Sequence, residues 1–67
     1  MLDWKNIEDI AIELYENDPQ LDPLTLRFTD LRDRILGIED FVGKQSDCSE
    51  GKLEAIQMAW LEEFQLA

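Results

Sequence analysis

Apolar positions recur at helical spacing in three stretches of the chain, separated by polar runs. Ile7, Ile10, Ala11 and Leu14 fall on one face and predict a helix over residues 7–16. Asn6 stands where an N-cap belongs, and Asp9 follows in the first turn. Asp18-Pro19 ends the helix, because a proline restricts the residue before it. Leu31, Ile35 and Ile38 predict a second helix over residues 30–40, with Thr29 as its cap, Asp30 near its positive end and Phe41 packing just beyond it. Gly37 weakens that helix by ~1 kcal/mol relative to alanine. Leu53, Ile56, Trp60 and Phe64 predict a third helix, running from a Ser49 N-cap to residue 64. Met58 and Leu61 fall on another side of it. Either this helix is central and covered on two sides, or these two residues form an exposed contact patch.

The connections are polar. Residues 19–24 are rich in turn formers. Thr25-Leu26-Arg27-Phe28 alternates polar and apolar, which predicts a short strand with Leu26 and Phe28 facing inward. Leu2-Asp3-Trp4 is the candidate partner strand. Residues 42–49 form a polar loop. The order helix, short strand, helix, loop, helix predicts one mainly α domain over residues 1–67. Its expected architecture is three-helix and winged-helix-like, with a minimal β element.

Charge changes the picture most. Sixteen Asp and Glu against six Lys and Arg give a formal net charge of −10. Residues 1–26 hold seven of the acids and a single lysine. Such a chain is repelled by nucleic acid and by anionic membranes, and is steered toward cationic partners. A winged helix commonly reads DNA through a basic third helix, yet the third helix here carries Glu50, Glu54, Glu62 and Glu63 against Lys52 alone. With 45% hydrophobic residues the chain still has the means to fold, although 67 residues allow only one small core. One cysteine, Cys48, precludes an intramolecular disulfide and suits a reducing compartment. No run is apolar enough to span a bilayer, and no leader is expected. The expectation is a cytoplasmic monomer.

The chemistry-bearing residues point to binding. There is no histidine, so the usual general base and the His-paired nucleophiles are missing, and no enzyme is expected. Asp9, Glu13 and Glu16 recur at i, i+4, i+7 opposite the apolar face of the first helix. Carboxylates so spaced suit a hard cation such as Fe(II), Mn(II), Mg(II) or Ca(II), although a solvated helix face has the same pattern. Cys48 has no second cysteine for a cluster, and an incidental surface thiol is the simpler reading. Trp60 belongs to the core stripe, and Trp4 staples the first helix. Arg27, Arg32 and Arg34 interleave with Asp30 and Asp33 and read as internal ion pairs.

Two longer runs resemble a known family. Leu21-Asp22-Pro23-Leu24-Thr25-Leu26-Arg27-Phe28-Thr29-Asp30-Leu31 is similar to a segment of the IscX family. So is the stretch from Leu53-Glu54-Ala55-Ile56-Gln57 to Trp60-Leu61 and Glu63. Trp4, Ile10, Leu14-Tyr15, Pro19 and Glu39-Asp40-Phe41 fall in register, so the likeness covers nearly the whole chain. The resemblance implies a small acidic protein that binds the cysteine desulfurase IscS, binds ferrous iron weakly, and tunes desulfurase activity alongside the bacterial frataxin, by competition or cooperation. It adds Asp22, Asp30, Asp33, Glu39 and Asp40 to Asp9, Glu13 and Glu16 as candidate contacts. Two positions depart from the family pattern. Val42-Gly43-Lys44 stands where relatives carry an acidic pair and proline, and Arg34 stands where they carry a large apolar residue. An acidic nucleic-acid mimic, or a regulator of a basic DNA-binding protein, is the alternative that shares the charge without the motifs.

Overall fold

A computed structural model describes residues 1–66. Three helices carry the fold: α1 (Ile7–Asn17), α2 (Phe28–Leu36) and α3 (Glu50–Leu66). Short 3₁₀ turns at Pro23–Thr25 and Gln45–Asp47 lie in the two connections. The most extensive helix pairing is α1 on α3, with α2 closing the third side. The core is Trp4, Ile10, Ala11, Leu14, Leu31, Ile35, Ile38, Leu53, Ile56 and Trp60, all buried. The periodicity picked out all of these except Trp4, and it also picked Ile7 and Phe64, which are only half-buried. The Cα radius of gyration is 10.6 Å, against about 11 Å for a compact chain of this length.

The expected strand at residues 25–28 does not form. Asp22 overrides the alternating pattern: its Oδ1 accepts the Leu24 N–H at 3.0 Å, and its carbonyl accepts the Thr25 hydroxyl at 2.7 Å. Those bonds wind Pro23–Thr25 into a 3₁₀ turn. Leu26 and Arg27 remain extended, and Phe28 already opens α2. Leu26 and Phe28 do pack against the core, so the inward-facing half of that expectation holds. Among the described residues the β content is one isolated parallel bridge, Leu2 with Phe41. The Leu2 N–H donates to the Asp40 carbonyl at 2.9 Å, and the Val42 N–H donates to the Leu2 carbonyl at 2.7 Å.

Helix ends also shift. Asn6 occupies the N-cap position of α1 without capping it. Its Oδ1 instead accepts the Asp3 N–H at 3.0 Å, tightening the turn before the helix. The second helix starts at Phe28, before Thr29, and stops at Leu36 with Gly37 as its C-cap. Gly37 keeps a right-handed backbone, so no left-handed glycine turn stops the helix, and Ile38 reaches the core from just beyond it. Ser49 behaves as expected, its hydroxyl accepting the Lys52 N–H at 3.3 Å.

Trp4 closes the end of the core. Its indole N–H donates to the Lys44 carbonyl at 2.6 Å, and its ring meets Phe41 edge-on with centroids 4.9 Å apart. Gly43 packs into that corner. A Cβ there would stand 2.6 Å from Phe41 Cζ and 2.8 Å from Trp4 Cδ1. Gly43, within one of the two departures from the family pattern, is therefore demanded by the aromatic pair beneath it.

Candidate functional site: carboxylates on the helix surfaces

α1 separates its residues cleanly. Ile10, Ala11 and Leu14 are buried, Asp9 and Glu16 are exposed, and Glu13 is half-buried. None of these three carboxylates takes part in an ion pair among the described residues. Glu8 and Asp9 complement the positive end of the helix dipole. The last turn holds no basic residue, so Glu16 adds charge to the negative end. Asp18, the C-cap, has a counter-charge in Arg34 at 3.7 Å, both side chains 43% exposed. Arg34 thus serves α1, and Asp18 is an acidic residue of this region that spacing alone passed over.

The other predicted contacts differ in freedom. Asp22 is half-buried and committed to its turn. Asp30 and Glu39 are exposed, with no ion pair among the described residues. Asp33 meets Arg32 at 3.4 Å, and Asp40 meets the N-terminal amine at 3.5 Å. Both pairs are open to water and contribute little to stability. Arg27 is exposed and joins neither pair, so the basic run is only partly neutralised from within. Among the described residues no three Asp, Glu, Cys or His side chains gather closely enough to hold one metal ion. Asp9, Glu13 and Glu16 share a face without converging on a point. Cys48 is a free, half-buried thiol beside Arg32 and Leu53. Surface hollows are shallow and open, one of about 290 Å³ lying beside Lys5 to Asp9. No helix among the described residues is long and apolar enough to cross a membrane.

This surface is strongly electronegative and attracts positive charge. It offers many outward carboxylates with few internal partners, on a rigid helical frame. The model of a family described as iron–sulphur cluster assembly matches residues 2–65. The chain belongs to the IscX family of iron–sulphur cluster assembly proteins. An uncharacterized protein of Pseudomonas aeruginosa is 40% identical over 62 residues, covering 92% of this chain and 94% of its own length. The family membership places the chain's role in cluster assembly. It also gives the shared runs a use beyond helix formation. Asp22-Pro23 and Thr25 build the turn that sets up α2, and Trp60 fills the centre of the core.

Proposed function

We propose that this chain is a non-catalytic adaptor or regulator of cluster assembly that docks its carboxylates on a basic surface of the cysteine desulfurase IscS. The observation that carries the reading is the outward face of α1. Asp9, Glu13 and Glu16 stand there without a basic partner among the described residues, in a chain of net charge −10 from a cluster-assembly family. A dense unpaired face of one sign accelerates encounter with the opposite sign and fixes orientation. Asp30, Asp33, Glu39 and Asp40 extend the contact, and Asp22 supports it from its turn. In this reading the bacterial frataxin acts on the same desulfurase, and the two proteins compete or cooperate there.

Ferrous iron belongs to the same proposal. Two carboxylates one helical turn apart reach one hard cation, with water completing its coordination. Such binding is weak and exchanges readily. A winged-helix-like arrangement of the helices, and a cytoplasmic setting beside the desulfurase, complete the reading.

Calorimetric titration into IscS at about 50 mM and about 500 mM salt tests the docking. Binding at low salt that fades at high salt is the expected result, because the screening length falls from about 14 Å to about 4 Å over that range. Salt-independent binding, or none at low salt, rejects an electrostatic contact. For iron, anaerobic Fe(II) addition should broaden amide signals from Asp9 to Glu16. Broadening confined to other segments would move the site off α1.

A further inference from the structure

α3 carries more apolar and small residues than its buried stripe uses. Leu53, Ile56 and Trp60 fill its inner side. Gly51, Glu54, Ala55, Met58 and Glu62 are all exposed. Their spacing of i, i+3, i+4, i+7 and i+11 lines them up along one outward face. Met58 keeps 53% of its surface open to water. A Cβ added to Gly51 would touch nothing within 4 Å, so the face is open at that end as well. Glu54 and Glu62 stand one turn to either side of Met58, in no ion pair among the described residues. Lys52, the single base on α3, gives its ammonium to the Asp47 carbonyl at 2.9 Å and leaves those carboxylates unneutralised.

We propose that this face of α3 is a second docking surface, and that it takes a basic amphipathic helical segment of a protein partner. An apolar side chain of the partner seats on Met58 beside Ala55, and Lys or Arg one turn away reaches Glu54 and Glu62. Charge complementarity selects this occupant. A second copy of the chain would bring the same glutamates against one another. Nucleic acid and anionic lipid are repelled by the same charges. A purely apolar partner would desolvate the glutamates without pairing them. Met58 suits the role, since an unbranched thioether repacks against varied shapes. A single helix face is small beside the ~1,600 Å² of a standard interface, so the contact is transient. The surface does not depend on what docks on α1, and the two proposals fail independently.

The test uses the ¹⁵N-labelled full chain and a synthetic helical peptide with leucines along one face and lysines one turn to either side. Titration should move the amide signals of Glu54, Ala55, Met58 and Glu62 most, and should saturate. Met58→Glu and Met58→Ser should each weaken binding by more than about fivefold while the far-ultraviolet circular dichroism stays unchanged. Replacing the peptide's leucines with serine should do the same, since a buried apolar anchor carries much of a small contact. Shifts centred on α1, no saturation, or losses below that level for either variant or the serine peptide would overturn the proposal.

Discussion

α1 and α3 pack on each other, and both are acidic, yet they are built differently. α1 carries Glu8, Asp9, Glu13 and Glu16 with no base in eleven residues, and every strongly apolar residue except Ile12 is at least half-buried. α3 carries Glu50, Glu54, Glu62 and Glu63 against Lys52, and leaves Met58 and Leu66 in water. The first helix offers charge alone. The second offers charge around an apolar centre. Charge alone gives fast, salt-sensitive encounter, whereas an apolar anchor slows dissociation. The same net sign on two helices therefore does not mean the same kind of contact.

The sharpest way to break the comparison is to cut each side of α3. Trp60 is fully buried and Met58 is half out. Trp60→Ala should cost about 3–5 kcal/mol, which is all of the roughly 3–5 kcal/mol such a small domain holds. Its thermal unfolding transition should vanish. Met58→Ala should stay within about 0.5 kcal/mol of the parent, as exposed positions do. Circular dichroism melts of both variants check this. A large loss at Met58 would mean that α3 is covered on two sides after all.

Gly43 comes next. Gly43→Ala forces a methyl into the Trp4–Phe41 corner at 2.6–2.9 Å from ring atoms. Overpacking of this kind costs about 1–3 kcal/mol. Trp4 is 4% exposed and Phe41 packs edge-on against it, so neither ring yields like a flexible side-chain tip. Urea unfolding should show a lower midpoint with an unchanged slope. Trp4 fluorescence should shift as well, which ties the loss to this corner and not to either acidic face.

Neutralising α1 separates binding from folding. Asp9→Asn with Glu13→Gln and Glu16→Gln removes three carboxylates that touch no described counter-charge. Folding should survive intact. Affinity for the desulfurase at low salt should fall about 10- to 100-fold, or about 1.4–2.8 kcal/mol, and the remaining binding should depend less on salt. Titration calorimetry at two salt concentrations reads both. Unchanged affinity would move the contact to α2 or α3.

How much of this was legible in the sequence follows from how local each cause is. The three apolar stripes name most of the core, because burial of an amphipathic face is a periodic signal, but they overreach at Ile7 and Phe64 and miss Trp4. Leu31, Ile35, Ile56 and Trp60 were readable this way, and Ser49 was readable as a cap. Alternation at 25–28 predicts a strand that does not form, since Asp22-Pro23 winds the backbone before alternation can act. Asn6 was assigned to the helix, but the Asp3 N–H competes for its side chain. Pairing of Leu2 with Phe41 spans most of the chain, and no short-range pattern encodes it. The carboxylates of α1 were legible as a face. Periodicity leaves Met58 and Leu61 open between a covered face and an exposed patch, and packing splits them: Met58 is exposed and Leu61 half-buried. Whether the faces take a protein, iron or both depends on molecules the sequence does not contain.

The smallest expected effect is the most diagnostic of what α1 is for. Glu16 sits in the last turn, at the negative end of the helix dipole, three residues from Glu13 and two from Asp18. The dipole and the Glu13 neighbour are both unfavourable for folding. Glu16→Gln keeps the shape and removes the charge, so it should stabilise the fold by about 0.3–1 kcal/mol at low salt. For a domain of this size that is a rise in Tm of about 2–6 °C, shrinking as salt is added. The same change should weaken desulfurase binding. A fold that becomes more stable while its docking becomes poorer has a carboxylate kept at the expense of its own helix, which is the signature of a contact residue. If stability rises with no loss of binding, Glu16 is only a solvated side chain, and the charge-only character of α1 rests on Asp9 and Glu13.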